Sequence, residues 1–377
     1  MKKIQMVDLK GQYDAIKETV NTSIQEVLDT NTYINGPQVH SFQKSLETYL
    51  DVKHVIPCAN GTDALQIAMM GLGLQPGDEV ITADFTFAAT VEVIALLQLT
   101  PVLVDVDMYN MNINIDKIRK AITPKTKAIV PVHLFGRAAN MEAIMALAKE
   151  HNLYVIEDNA QAIGANCKFS DGTKKKAGTI GHVGATSFFP SKNLGCYGDG
   201  GAIFTNDDAL AHTLRGIVNH GMYERYHHDV VGVNSRLDSI QAAVLNAKLP
   251  LLDQYNTARQ NAARKYTAAL EGHKNIIAPS ICDICDCHVF HQYTLRIINA
   301  DRNGLMQHLL DKGIPCAIYY PIPLHSQKVY ADARYKEEDF PVTNQLVKEV
   351  ISLPMHTELD DEQIKFITDS ILEFLNK

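Results

Sequence analysis

The stretch that decides the fold is Ser187-Phe188-Phe189-Pro190-Ser191-Lys192-Asn193-Leu194-Gly195, which continues into a loop rich in glycine that ends at Gly201. Its single lysine, Lys192, follows an apolar aromatic run and precedes a segment with too many glycines to form a helix. Burial of an ammonium group lowers its pKa and makes the neutral amine available as a nucleophile or base. A solvated lysine on a turn is the alternative, and the segments upstream decide between the two.

Two upstream segments carry groups that complement a buried amine. Residues 153–158 form a short apolar run that ends in Asp158, as expected for a buried parallel strand with a carboxylate at the sheet edge where α/β folds bind ligands. Residues 56–65 contain a turn of small residues that opens a helical pattern, and the N–H groups at a helix start suit a phosphate. An amine, a carboxylate and a phosphate site together predict pyridoxal 5'-phosphate (PLP) as the cofactor.

Composition limits the class of protein. The chain has 377 residues, of which 46% are hydrophobic and 21% charged, as expected for a soluble protein of about two domains. Its formal net charge of −8 argues against a general nucleic-acid binder. The start of the chain lacks the apolar core of a signal peptide, and no run approaches the roughly 18 apolar residues of a membrane span. We therefore expect a cytoplasmic protein that binds neither nucleic acid nor membrane.

The cysteines do not predict a metal site. Of the seven cysteines, only Cys282, Cys285 and Cys287 lie close together in the sequence, and the others are scattered. This pattern argues against a secreted disulfide framework. These three, with His291 nearby, suggest zinc, but their spacing is too compressed for paired Cys-x-x-Cys knuckles and the chain has only one such pair. We expect no metal, although the sequence leaves metal binding by this cluster open.

Hydrophobic periodicity predicts an α/β domain. Helical patterns at residues 13–30 and 39–50 are followed by apolar strand-like runs that are mostly separated by helical patterns. These runs lie at residues 54–57, 79–82, 102–105, 128–132, 154–157, 185–188 and 202–205. Such alternation predicts a mostly parallel, seven-stranded sheet covered by helices.

The C-terminal third has a different pattern. Pro250 marks a boundary, after which helices are predicted near 253–270, 305–311, 343–350 and 361–375. Strands are predicted near 291–297 and 315–319. We expect a large α/β domain over residues 1–248 and a smaller α+β domain over residues 249–377.

The chain resembles the sugar aminotransferases of the DegT/DnrJ/EryC1/StrS family. The resemblance runs nearly end to end, through residues 7–9, 33–37, 60–65, 77–81, 187–201 and 351–355. Residues 195–208, 225–228, 232–238 and 320–324 are most similar to members that aminate C3 of UDP-2-acetamido-2-deoxy-3-oxo-glucuronate. The resemblance implies a fold-type I PLP-dependent aminotransferase that works as a homodimer with shared active sites.

The resemblance also implies roles for three residues around the PLP ring. Lys192 matches the Schiff-base lysine that also carries the proton, and Asp158 matches the acid that keeps the ring nitrogen protonated. A helix N-cap is the alternative for Asp158. Gln161 matches the residue against the ring and its hydroxyl group. Asn159 replaces the alanine that is commoner in the family, and we expect it to face away from the ring.

Other positions match the family's phosphate and ring contacts. Gly61, Thr62 and Asp63 are expected at the phosphate through the start of their helix, assisted by the hydroxyls of Thr62 and Ser187. Capping of the helix alone is the alternative for Thr62. Phe87 falls where the family places an aromatic ring over the cofactor, with a core aromatic as the alternative.

Four further positions concern the dimer and the substrate. The resemblance implies that Asn234 reaches the neighbouring subunit's phosphate and that Arg236 extends toward the substrate, with a surface arginine as the alternative. Tyr320 lies in the family's Tyr-Pro-x-Pro segment and is expected to bind substrate. Tyr319 stands where close relatives have histidine, so the substrate is less well defined than the reaction.

The expected function is transfer of an amino group, from L-glutamate, to a nucleotide-linked keto sugar in cell-surface polysaccharide biosynthesis, such as that of the lipopolysaccharide O-antigen. The expected substrate is UDP-2-acetamido-2-deoxy-3-oxo-glucuronate, with a dTDP-3-keto-6-deoxyhexose as the alternative. Sugar 3-dehydratases share the fold but replace the lysine with histidine, so Lys192 argues against them. A regulator that binds PLP without turnover is a further alternative, which no basic segment supports.

Overall fold

The structure is a computed structural model that describes residues 2–281 and 287–376. Its helices are α1 Leu9–Thr30, α2 Pro37–Leu50, α3 Gly61–Gly71, α4 Ala89–Leu96, α5 Ile115–Ala121, α6 Met141–His151, α7 Asp208–Ile217, α8 Ser239–Lys248, α9 Leu252–Leu270, α10 Arg302–Asp311, α11 Pro341–Glu349 and α12 Asp361–Leu375. Its strands are β1 His54–Cys58, β2 Glu79–Ala83, β3 Thr100–Val104, β4 Thr126–Val130, β5 Tyr154–Asp158, β6 Asn166–Lys168, β7 Lys174–Lys176, β8 Val183–Ser187, β9 Gly201–Thr205, β10 Met222–Glu224, β11 His227–His228, β12 Ile276–Ile277, β13 Tyr293–Ile297 and β14 Val350–Leu353.

The large sheet contains seven strands in the order β1-β9-β8-β5-β4-β2-β3. Strands β8, β5, β4, β2 and β3 pair in parallel, whereas β9 is antiparallel to both of its neighbours. All seven predicted strands lie in this sheet, so the predicted mostly parallel α/β architecture is confirmed. Because β9 is the only reversed strand, the carboxyl ends of the other six meet at one edge.

The sheet is covered on both faces, which explains why its strands are largely apolar. In β4, Ala128, Ile129 and Val130 are all completely buried. One face packs against α3 and α7 through residues such as Ile67 and Leu214, and the other packs against α5 and α6. Burial of each large aliphatic side chain contributes about 1.5 to 3 kcal/mol, so this core fixes the sheet edge that carries the polar residues.

The C-terminal third forms a second, three-stranded antiparallel sheet in the order β12-β13-β14. Helices α9, α10 and α12 pack on it around Tyr266 and Tyr293. The chain passes from α8 to α9 through a single 3₁₀ turn at Leu249–Leu251, so the boundary near residue 248 stays a prediction.

The predicted strand at 315–319 is wrong. Only Ala317 pairs, with Ser352, and Pro315 lacks the N–H group that a longer ladder would need. The short hairpins β6–β7 and β10–β11 were not predicted, because strands of two or three residues show no periodicity. Strand β14 was not predicted, because Val350 was placed at the end of a helix and no structure was predicted for the rest of the strand.

Within the described residues, no cluster of three or more potential ligands could hold a metal ion. Cys58, Cys167, Cys196 and Cys316 are free thiols, and Cys287 is disulfide-bonded. Cys282 and Cys285, the other members of the cluster discussed above, lie outside the described residues. No helix in the described ranges is both long and apolar enough to cross a membrane.

A completely buried carboxylate, hydrogen-bonded to an imidazole, lies beside the central strands. Glu157 in β5 accepts hydrogen bonds from Nε2 of His133 at 2.8 Å and from the backbone N–H groups of Gly178, Ile180 and Gly181 at 2.5 to 2.8 Å. Nδ1 of His133 accepts from the backbone N–H of a neighbouring turn at 3.0 Å, so the proton of the ring is on Nε2. Each of the two carboxylate oxygens therefore accepts two hydrogen bonds, and all four lone-pair positions are occupied.

We predict that Glu157→Gln lowers the free energy of unfolding by on the order of 3 kcal/mol, because an amide has one oxygen and two of the four donors lose their acceptor. Glu150→Gln is the matched control, since the ion pair of Glu150 with Arg119 is half-exposed and contributes less than about 1 kcal/mol. Urea denaturation of both variants measures the difference. Equal losses would contradict the assigned role of the buried network.

Candidate active site

Lys192 lies in a loop that backbone hydrogen bonds close tightly after β8. Phe188 N donates to Gly200 O at 2.7 Å, and Cys196 N donates to Phe188 O at 2.8 Å. A Cβ at Gly195 would lie 2.4 Å from Pro190 O, so only glycine fits there. The loop thus holds the backbone of Lys192 in one position.

The amine of Lys192 has no partner of its own. Its Nζ makes no hydrogen bond or ion pair with any described residue, although the side chain is largely enclosed. Burial lowers the pKa of Lys192 to about 8, and the negative charge of Asp158 limits the decrease. The neutral fraction of the amine near physiological pH is therefore far larger than for an ordinary lysine, whose pKa is about 10.4.

A second buried lysine, which sequence reasoning missed, supports the loop from behind. Nζ of Lys248 donates to Gly195 O at 2.8 Å and lies 4.6 Å from the centre of the Tyr197 ring. Burial lowers its pKa to about 8 as well. Its amine is engaged with the backbone of the loop, so Lys248 supports the loop, whereas the amine of Lys192 makes no such contact with any described residue.

Asp158 occupies the carboxyl end of β5. Its Oδ2 accepts a hydrogen bond from Thr90 Oγ1 at 2.8 Å, and its Oδ1 accepts from Ala160 N at 3.1 Å. Burial raises the pKa of Asp158, whereas these bonds and the charge of Lys192 act in the opposite direction. Each oxygen keeps a free lone pair, so the site favours a cationic N–H partner. Thr90 carries no sequence signal that could have indicated this contact.

Gln161 connects two walls of the site. Its Oε1 accepts from Phe135 N at 2.6 Å, and its Nε2 donates to Tyr320 Oη at 3.1 Å. The Tyr320 ring lies 6.1 Å from the rings of both Phe85 and Phe87. Phe87 is 58% exposed, which argues against the alternative that it is a core aromatic.

The start of α3 provides free N–H groups. Asn60 caps this helix by accepting from Asp63 N at 2.8 Å, so the predicted phosphate contact through Asp63 N–H already has an acceptor. The N–H groups of Gly61 and Thr62 have no acceptor among the described residues. A Cβ at Gly61 would lie 2.7 Å from Cβ of Ser187, so the helix start directly contacts the end of β8.

The segment of Asn234 and Arg236 lies beside the same helix start. Ser235 Oγ accepts from Ala59 N at 3.1 Å, immediately before the cap of α3. The side chain of Asn234 is exposed, and Arg236 Nη1 donates to Asn219 Oδ1 at 3.3 Å. Within one chain, neither predicted residue bonds to the groups around Lys192.

Asn159 is completely buried, and neither polar atom of its amide has a partner among the described residues. A Cβ at Gly178 would lie 2.9 Å from its Nδ2, which places the side chain beside the same turn that binds Glu157. Successive residues of a strand face opposite sides of the sheet. Asn159 comes directly after β5, where this alternation puts its side chain on the opposite face from that of Asp158, and its orientation away from a PLP ring stays a prediction.

These groups fit PLP. The free amine of Lys192 suits the aldehyde, the buried carboxylate of Asp158 suits a protonated ring nitrogen, and the free N–H groups of Gly61 and Thr62 suit the phosphate. Phe87 provides an open aromatic face. All of them lie at the edge of the sheet where the parallel strands end.

The comparisons with known proteins give the same result. The sequence profile of the DegT/DnrJ/EryC1/StrS aminotransferase family matches residues 14–372. The chain is 46% identical, over 97% of its length and 98% of the relative's, to a UDP-2-acetamido-2-deoxy-3-oxo-D-glucuronate aminotransferase of Pseudomonas aeruginosa. It is 44% identical, over 99% and 98%, to a UDP-N-acetyl-3-dehydro-alpha-D-glucosamine 3-aminotransferase of Acidithiobacillus ferrooxidans.

Two further relatives cover the chain equally well. A pleiotropic regulatory protein of Geobacillus stearothermophilus is 45% identical over 98% of both chains. Among solved structures, a DegT/DnrJ/EryC1/StrS aminotransferase from Brucella abortus has a TM-score of 0.94 and 42% identity, over 99% of this chain and all of the other.

We predict that PLP followed by borohydride labels Lys192 with a pH midpoint of about 8, because only the neutral amine reacts. An ordinary lysine has a pKa of about 10.4. Lys248 is the internal control, because its pKa is equally low but its amine is bonded to Gly195 O and buried. Peptide mass spectrometry across a pH series measures both. Labelling at another lysine, or a midpoint above about 10, would contradict the site.

Proposed function

The chain belongs to the DegT/DnrJ/EryC1/StrS aminotransferase family, and on that premise we propose that it transfers an amino group from L-glutamate to C3 of UDP-2-acetamido-2-deoxy-3-oxo-glucuronate. It is a PLP-dependent aminotransferase that acts on nucleotide-linked keto sugars. The observation that supports the finer proposal most strongly is the 46% identity, over 97% of the chain, to a relative named for this reaction.

When bound, PLP supplies an electron sink for the carbon that loses its proton. We assign proton transfer at that carbon to the amine of Lys192, which has a pKa lowered to about 8 and no hydrogen-bond partner among the described residues. The carboxylate of Asp158, held by Thr90 and Ala160 N, stabilises positive charge on the ring nitrogen. The N–H groups of Gly61 and Thr62 receive the phosphate, with Ser187 adjacent.

A substrate with a C6 carboxylate is bound best by a cationic side chain. Arg236 has one weak bond, to Asn219 at 3.3 Å, and can rearrange to pair a carboxylate or diphosphate with two N–H groups. Burial raises the pKa of Tyr319, so its phenol stays protonated and can donate one hydrogen bond where histidine could provide a charge. Tyr320, whose hydroxyl accepts a hydrogen bond from Gln161, forms with Tyr319 the side of the site that faces the sugar, which we call the substrate wall.

We propose a homodimer in which Asn234 and Arg236 complete the partner's site. Asn234 is exposed at the start of α3, and it does not bond to its own chain's Lys192 or Asp158. Two exposed apolar side chains, Tyr226 in the turn of the β10–β11 hairpin at 76% and Val231 just after that hairpin at 83%, would be covered by a second subunit.

The cellular setting follows from the chemistry. A sugar on a nucleotide is an activated precursor for glycosyl transfer, so we place the reaction in the cytoplasm, in precursor synthesis for a cell-surface polysaccharide such as the lipopolysaccharide O-antigen. We also propose that residues 1–248 and 249–377 form two domains, since the catalytic groups come from the first range and Tyr319 and Tyr320 come from the second.

We predict that the UDP 3-oxo-uronate is preferred over its neutral C6 counterpart by roughly ten- to a hundredfold in kcat/KM, because a charge-assisted contact contributes about 1.5 to 3 kcal/mol. Steady-state kinetics with UDP-2-acetamido-2-deoxy-3-oxo-glucose and a dTDP-3-keto-6-deoxyhexose provide the comparison. Arg236→Met should remove the preference and Arg236→Lys should keep part of it. Preference for the 6-deoxy sugar would overturn the substrate assignment and leave the transamination intact.

We predict that a hybrid dimer of Lys192→Ala and Asn234→Ala chains has about half of the wild-type activity, because one of its two sites combines an intact Lys192 with an intact Asn234 from the other chain. Each variant alone should be nearly inactive. Differently tagged chains allow the hybrid to be purified before the assay. Activity of the hybrid no higher than that of the Asn234→Ala homodimer would show that the sites are not shared.

A further inference from the structure

A buried carboxylate–imidazole pair joins the C-terminal third of the chain to the large sheet. Asp84 directly follows β2, and its Oδ1 accepts from His325 N at 2.7 Å. Its Oδ2 accepts from His325 Nδ1, also at 2.7 Å, and its backbone oxygen accepts from Leu324 N at 3.3 Å. Asp84 thus makes three bonds to two consecutive residues, of which His325 lies 241 positions away in the sequence.

Among the described residues, the imidazole of His325 has this carboxylate as its one polar partner. The His325 side chain is 5% exposed and that of Asp84 is completely buried. The ring stacks on Phe340 with centroids 4.4 Å apart and planes 9° from parallel. Its Nε2 is buried and has no partner among the described residues. The Nδ1–H donor is therefore what orients the ring.

Both residues of the pair are close in sequence to residues that contact or form the proposed substrate wall. On one side, Asp84 precedes Phe85, whose ring lies 6.1 Å from that of Tyr320. On the other, Tyr320 is five residues before His325, and the intervening segment contains two prolines, Pro321 and Pro323, that limit its freedom. The contact of Asp84 with His325 therefore sets where Tyr320 can lie against Gln161.

We propose that His325, held by Asp84, is a positioning residue for the nucleotide sugar, which acts by fixing Tyr320 and does not touch the reacting atoms. The inference rests on the proposed function in so far as Tyr320 binds the sugar. The Lys192 and Asp158 groups are held by other contacts, with Lys248 and Thr90. Loss of the pair therefore affects binding of the sugar and leaves the reaction with the amino donor intact.

The kinetic test uses three variants of His325. His325→Ala removes the Nδ1–H donor, His325→Gln places its donor one bond further out, and His325→Asn keeps a donor near the position of Nδ1. All three lose the stack on Phe340, so their differences report the hydrogen bond. We expect the Ala and Gln variants to raise KM for the sugar by roughly ten- to a hundredfold, with recovery in the Asn variant.

The rate at which L-glutamate changes the absorbance of the bound cofactor should stay within about threefold of wild type in all variants. A double-mutant cycle with Tyr320→Phe tests whether the two positions act together. We expect His325→Ala combined with Tyr320→Phe to raise KM little more than the larger single change. Effects that multiply would overturn the proposed coupling, as would an equal KM rise in the Ala and Asn variants.

Hydrogen–deuterium exchange of the apoprotein, followed on the peptide of residues 318–326, gives a readout that needs neither cofactor nor substrate. We expect exchange at least about tenfold faster in His325→Ala than in wild type, and restored in His325→Asn. Unchanged exchange in His325→Ala would overturn the inference. Faster exchange in a protein that aminates no nucleotide sugar would instead uphold the structural coupling and refute the proposed function.

Discussion

The site depends on keeping an amine and a carboxylate out of water without letting them neutralise each other. Lys192 and Asp158 influence each other's pKa, yet Nζ of Lys192 forms no ion pair with any residue that the structure describes, and Asp158 is held by Thr90 and Ala160 N. Groups in this state destabilise a fold, because each one loses hydration without full compensation. The burial of largely apolar strands, one of which carries Asp158 and another of which leads into the loop of Lys192, offsets that cost. The same sheet that creates the edge thus also supplies the stability that allows two incompletely paired groups to remain there.

The sequence allowed the large sheet and the central groups to be predicted for a physical reason. Strands buried on both faces appear as continuous apolar runs, and Lys192 and Asp158 stand out against such runs. The missed features have no local signal: Thr90, Lys248 and the pairing of Asp84 with His325 are single polar residues whose partners lie far away in the chain. The segment at 315–319 was misassigned because its β-branched and aromatic residues favour a strand while Pro315 and the adjoining contacts prevent one.

In the proposed function, the catalytic groups and the groups that recognise the sugar come from different parts of the chain. The amine, the carboxylate and the helix start belong to the parallel sheet and its loops, whereas Tyr319 and Tyr320 belong to a segment that reaches the site from the C-terminal third. Substitutions in that segment alter the wall that faces the sugar and leave the strand ends unchanged. A departure such as Tyr319 can therefore change the preferred sugar without disturbing the catalytic groups, which agrees with relatives of similar identity that are named for different UDP-sugars.

The closed loop around Lys192 has a stereochemical consequence. Its backbone is fixed by the bonds of Phe188 and Cys196, and Lys248 holds Gly195 from behind. The amine therefore moves about a stationary pivot, with only its own side-chain torsions to change its position. In the proposed reaction, a donor that swings from one pivot reaches a planar sugar carbon from one side only. The handedness of the new carbon–nitrogen centre would then be decided by which face the sugar turns toward that loop, so a change in how the sugar lies would invert the product without any change in the catalytic residues.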